Sequence, residues 1–74
     1  MIIRDNHYNV TIDTEDYKAI WYAVQDTPGD AWDYGSTDYD EAVEMLQRQG
    51  HGLIVVIDDE RKVALAGIDY DDLF

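Results

Sequence analysis

Seventeen carboxylates, two histidines and a single serine are the side chains of this 74-residue sequence that bear first on chemistry, and there is no cysteine. Without cysteine there is no thiolate nucleophile, no disulfide and no cysteine-based zinc site. Ser36 stands where a helix begins, and a hydroxyl there caps backbone N–H groups. A catalytic serine also needs an oriented base, which no neighbouring pattern supplies. His51 lies between two glycines and His7 near the first strand. Neither has a second ligand type at metal-binding spacing. An EF-hand loop needs acids at alternating positions, a central glycine and a late glutamate. Asp26, Asp30 and Asp33 do not follow that pattern, nor do Asp69, Asp71 and Asp72. A glycosidase-like carboxylate pair needs a cleft, for which a chain this short leaves little room. Gly29, Gly35, Gly50 and Gly52 have neither the spacing nor the lysine of a phosphate loop. The expectation is a protein that is not an enzyme and holds no cofactor or metal.

The elements that position these groups follow from periodicity. From Ile2 to Asp13 the chain ends in an alternation, with Tyr8, Val10 and Ile12 on one side and Asn9, Thr11 and Asp13 on the other. That period of two predicts a half-buried strand. After the polar turn Asp13–Asp16, Lys18 to Val24 is rich in β-branched and aromatic residues and predicts a second strand, paired with the first as a hairpin. Gln25 to Ser36 reads as a loop that carries Trp32 and Tyr34, and long loops of this kind are often functional. A helix is expected from a cap at Thr37 or Asp38 to Gln49, with Asp38 and Glu41 resembling a capping box. Tyr39, Ala42, Val43 and Leu46 form its apolar stripe, and Gly50 is its stop. Leu53 to Ile57 is predicted to be the most buried strand. Asp58–Arg61 is a turn, Lys62 to Ile68 a last strand and Asp69 to Phe74 an acidic tail. The expected fold is one compact α+β domain over residues 1–74, a four-stranded antiparallel sheet with one helix on one face (ββαββ). The helix would pack on Tyr8, Val10, Ile12, Val55 and Ile57 or their neighbours. The second sheet face, with Trp21, would be open or covered by the Trp32 loop.

Lys plus Arg is 5 and Asp plus Glu is 17, a formal net charge of -12. This repels phosphate and excludes ordinary nucleic-acid binding. No apolar run approaches the roughly 18 residues of a membrane helix, and the N-terminus lacks the features of a signal peptide. A cytoplasmic location is expected. With 46% hydrophobic and 12% aromatic residues, the chain has the means to build a core. Mass scaling gives a folded surface of about 4,600 Å². Solubility alone asks for a net charge of magnitude about 2 to 8 in a small domain, so the acids are read as a partner-binding surface. Aspartate outnumbers glutamate 13 to 4, and its short side chain holds a carboxylate close to the backbone with little rotamer entropy to lose.

Trp32-Asp33-Tyr34-Gly35-Ser36, followed by Tyr39-Asp40-Glu41-Ala42, resembles the small acidic proteins of phages and other bacterial mobile elements, among them anti-CRISPR and anti-restriction proteins. Several of these are DNA mimics. The resemblance implies a host-directed inhibitor whose target is the basic DNA-binding groove of a CRISPR effector or restriction complex. The charge argument points to the same kind of partner. The expected contacts are Asp30, Asp33, Asp38, Asp40, Glu41 and Glu44, with Trp32 and Tyr34 as anchors. The competing reading is an adaptor or regulator that binds a protein, or a second copy as a homodimer, through a sheet edge or the Trp21 face.

Overall fold

The computed structural model describes residues 1–5 and 9–74. Asn6, His7 and Tyr8 lie outside the described residues, and with them the expected inward position of Tyr8 and the placement of His7. The class is α+β. A four-stranded antiparallel sheet has the order β4-β3-β5-β6, built from β3 (Ile20–Gln25), β4 (Gly35–Ser36), β5 (Leu53–Asp58) and β6 (Val63–Asp69). The main helix α1 (Tyr39–Gln49) lies on one face. The accessible surface is 4691 Å², close to the value expected from mass.

The N-terminal stretch departs from the expected single strand. It folds into its own hairpin, β1 (Ile2–Asp5) against β2 (Val10–Asp13), in the register Ile3↔Ile12 and Asp5↔Val10. Asn9 adopts φ 55, a left-handed conformation that asparagine tolerates better than most residues. The expected pairing of the first strand with Lys18–Val24 is therefore not formed. β3 pairs instead with β5, Tyr22 opposite Val56 and Val24 opposite Ile54. The reason is burial. β3 is apolar on both sides and gains most as an interior strand between β4 and β5, whereas β1 and β2 carry the polar residues Arg4, Asp5, Thr11 and Asp13.

Tyr22, Val24, Ile54, Val56, Ala66 and Ile68 face α1, which contributes Ala42 and Leu46 to the same core, and Ile3 of β1 joins it. Each fully buried Leu, Ile or Val stabilises the fold by about 1.5–3 kcal/mol. The Tyr39 ring meets Tyr22 edge-on, 5.5 Å between centroids at 73°. Burial holds both phenols above the ordinary tyrosine range. The helix thus rests on the even-numbered residues of β5. Val55 and Ile57, expected beneath it, face the other side. Five consecutive apolar residues carry no alternation that could fix the parity. Of the other expected partners, Ile12 packs beside the core.

Asp38 rather than Thr37 caps α1, accepting the Asp40 N–H at 3.0 Å. Gly50 ends it at φ 84 with its N–H on the Leu46 carbonyl. In β6 a bulge inserts Leu65 between Ala64, opposite Ile57, and Ala66, opposite Val56. The acidic tail closes as a short helix, α2 (Tyr70–Leu73), with Tyr70 and Leu73 against the core. The β1–β2 hairpin covers the outer side of β6, where the buried Asp5 carboxylate accepts the Gly67 N–H at 3.0 Å. An edge donor is satisfied and the edge is blunted.

Candidate functional site

The segment from Asp26 to Tyr34 is a tied loop. The Asp30 carboxylate accepts the N–H groups of Asp26 (3.2 Å) and Thr27 (3.0 Å) and the Thr27 hydroxyl (3.3 Å). The Thr27 N–H contributes most to holding its carboxyl below the ordinary aspartate value, against a smaller opposing effect of desolvation. Gln25, buried at the end of β3, donates from Nε2 to the Asp30 carbonyl at 2.6 Å. Trp21 donates its indole N–H to the Trp32 carbonyl at 2.6 Å. Val24 N–H reaches the Tyr34 carbonyl at 2.8 Å, and β4 continues the pairing with Gly35 opposite Ala23. A Cβ at Gly35 would stand 2.1 Å from the Tyr22 carbonyl oxygen, so only glycine lets the strands approach here. Thus the Trp32 loop covers Trp21, which is half-buried.

The carboxylates divide by what they do. Asp13, Asp30, Asp38 and Asp58 each accept backbone N–H groups at a turn or helix start. They account for part of the preference for aspartate over glutamate, since the shorter side chain closes these local bonds better. Asp33, Asp40, Glu41 and Glu44 are exposed on the loop and on α1. Three of the five cations lie elsewhere: Lys18 pairs with Glu60, Arg61 with Asp58 and Lys62 with Asp59, all around the β5–β6 turn. Arg48 on α1 turns its Nε toward the Glu44 carbonyl oxygen at 3.4 Å. Residues 26–49 carry seven acids against that one arginine.

The eight expected contact residues do not form one cluster. Asp40, Glu41 and Glu44 lie on the solvent side of α1, with Asp38 at its start. Tyr34 is 53% exposed and borders a depression of about 530 Å³ with Met45, Arg48 and Gln49. Asp30 and Trp32 belong to the opposite face of the sheet. There they wall a cleft of about 800 Å³ floored by Leu53, Val55, Leu65 and Gly67. The loop is therefore the hinge of two surfaces, one acidic and one apolar. Sequence reasoning did not find the cleft floor. Its only signal was that β3 and β5 are apolar on both sides.

Ser36 and His51 both make structural contacts. The Ser36 hydroxyl accepts the Asp38 N–H at 3.0 Å, a helix-start role. His51 pairs through Nε2 with the Asp26 carboxylate at the surface, tying the loop to the segment after α1. Among the described residues no group of three or more His, Asp or Glu side chains is placed to hold a metal ion. No helix of the described residues is long and apolar enough to cross a membrane. Comparison with protein-family models, with curated proteins and with solved structures finds no match for this chain.

Proposed function

We propose that the protein is a stoichiometric inhibitor of a host DNA-binding defence complex, an anti-CRISPR protein whose acidic surface takes the place of DNA. One observation carries this reading. Three of the five cations, Lys18, Arg61 and Lys62, are paired with carboxylates around the β5–β6 turn, while Asp33, Asp40, Glu41 and Glu44 stand exposed along one loop and one helix that carry one cation, Arg48. A field of that sign is complementary to the Lys/Arg-lined groove that receives phosphates. The acidic helix start is also held on ordered backbone, since the Asp38 carboxylate accepts the Asp40 N–H in the first turn of α1. Binding to a basic groove then costs little ordering.

The test is competition. Labelled target DNA is bound to a purified CRISPR effector complex or a restriction enzyme, and the protein is titrated in. The parent chain is expected to displace DNA near equimolar ratio, less effectively as salt rises. The variant Asp33→Asn, Asp40→Asn, Glu41→Gln and Glu44→Gln keeps the Asp30 and Asp38 bonds. It should need at least about tenfold more protein, because removing complementary charges slows association and weakens steering. Equal displacement by the variant, or none by the parent on either complex, refutes the proposal.

A further inference from the structure

The cleft on the helix-free face has no part in the charge argument, yet its walls are held in place by hydrogen bonds. Its loop wall is fixed by the Trp21–Trp32 and Gln25–Asp30 hydrogen bonds and by the N–H groups that hold the Asp30 carboxylate. Its floor is aliphatic, from Leu53, Val55 and Leu65, and Trp32, 37% exposed, is among its lining residues. A volume of about 800 Å³ falls within the range of roughly 300–1,000 Å³ that binding sites occupy.

We propose that this cleft seats a basic, apolar-stemmed segment of the partner protein, an arginine or lysine flanked by leucine or phenylalanine. The identity of the partner rests on the inhibitor reading above; the chemistry of the occupant rests on charge complementarity. Among the described residues that line the cleft there is no lysine or arginine, whereas the exposed Asp30 is one of them, in a chain of net charge -12. The aliphatic floor suits a side chain with a long apolar stem, and the Trp32 face is an acceptor for a guanidinium or ammonium group. A fatty acid or a nucleic acid would bring like charge into this site. A second copy would bring -12 against -12. Asp30 and Trp32 sit on the same loop as Asp33, so this loop contributes to both surfaces.

Gly67 provides the variant that separates the two surfaces. A Cβ there meets Leu53 at 3.8 Å and Asp5 at 4.0 Å, ordinary contact distances, so Gly67→Leu fills the cleft from its floor. Ala64→Lys, at an exposed position on the rim, sets a like charge against the occupant. The probe is the peptide acetyl-Gly-Arg-Leu-Lys-Phe-Arg-Gly-amide, titrated at about 0.15 M salt and followed by tryptophan fluorescence and by NMR shifts of the cleft residues. The expected result is saturable binding at Val55, Leu65 and Trp32. Binding should weaken at least about tenfold, or 1.4 kcal/mol, in both variants, with Gln in place of Arg and Lys, and with Gly in place of Leu and Phe. The acid-face variant should still bind it.

No binding by the parent, equal binding by Gly67→Leu once its fold is confirmed by its NMR spectrum, or equal binding of the peptide without Leu and Phe overturns the inference. Gly67→Leu that displaces DNA as well as the parent overturns the cleft's role in inhibition and leaves the acidic surface standing. Peptide binding lost in Gly67→Leu, in a protein that displaces DNA from no complex, supports the cleft's specificity while refuting the inhibitor reading.

Discussion

Asp58 is the residue whose replacement tests most sharply whether this chain's aspartates hold turns as well as display charge. It is 1% exposed at the end of β5. One carboxylate oxygen accepts the backbone N–H groups of Glu60 (3.0 Å) and Arg61 (3.2 Å), and the other takes the Arg61 guanidinium at 3.1 Å. In Asp58→Ala both N–H groups lose their acceptor. Water reaches that exposed turn, so each loss costs about 1–1.5 kcal/mol rather than the full penalty of a buried orphan. The Arg61 side chain is 70% exposed, so its ion pair adds only about 0.5 kcal/mol. The sum is about 3 kcal/mol. Asp58→Asn keeps one oxygen for the two N–H groups and forfeits the charge, a cost of about 1 kcal/mol.

The quantity to read is the difference between the two variants, about 2 kcal/mol. In a small domain with a urea m-value near 1 kcal/mol/M, the midpoints should differ by about 2 M. The melting temperatures should differ by about 10 °C. Urea unfolding followed through Trp21 and Trp32 fluorescence measures the first directly. Equal losses in the two variants would mean that the charge matters and the turn bonds do not. Asp58→Ala within about 0.5 kcal/mol of the parent would refute the whole account of the turn, since surface changes away from such features stay in that range.

Gly52→Ala should destabilise by about 2–4 kcal/mol in the same assay, because φ is 102 and the new Cβ would stand 2.1 Å from the Gln25 carbonyl oxygen; a loss under about 1 kcal/mol would show that the close approach relaxes freely. Asp13 and Asp30 should titrate below the ordinary 3.8, chiefly through the Glu15 and Thr27 N–H groups. Their folded pKa values are depressed, so the stability they contribute is present above the unfolded value and is lost as pH falls through the folded one. NMR titration of the two carboxyl carbons checks this, and midpoints at or above 3.8 refute it.

Legibility in the sequence followed locality. The helix could be read because all its signals lie within its own length: the Asp38 cap, the stripe through Leu46 and the Gly50 stop. The β5–β6 hairpin could be read for the same reason, as two apolar runs around a four-residue polar turn. The pairing of Ile20–Gln25 with Leu53–Asp58 could not, because a loop and a helix separate them and nothing in either run names its partner. The parity of Leu53–Ile57 was equally hidden. Period-two reasoning needs a polar side, and this strand has none before Asp58. The site shows the same division. Asp30, Trp32 and Tyr34 stood out as aromatic and acidic residues in one loop. The cleft stayed hidden, since its lining residues Asp5, Gln25, Leu53 and Gly67 come from four separate strands.

The Asp5–Gly67 hydrogen bond joins positions 62 apart in the chain, and this has a consequence in time. The β1–β2 hairpin leaves the ribosome well before the strand it docks on. Until Val63–Asp69 has been made, the hairpin has no sheet to cover. Until the hairpin arrives, the outer side of β6 stands bare. Closing so long a loop and pairing β3 with β5 across α1 places the fold among the slower small domains. A nascent chain in that state is open to pairing with its neighbours. Twelve excess negative charges keep such chains apart, so the same carboxylates protect the protein before it has a surface to present.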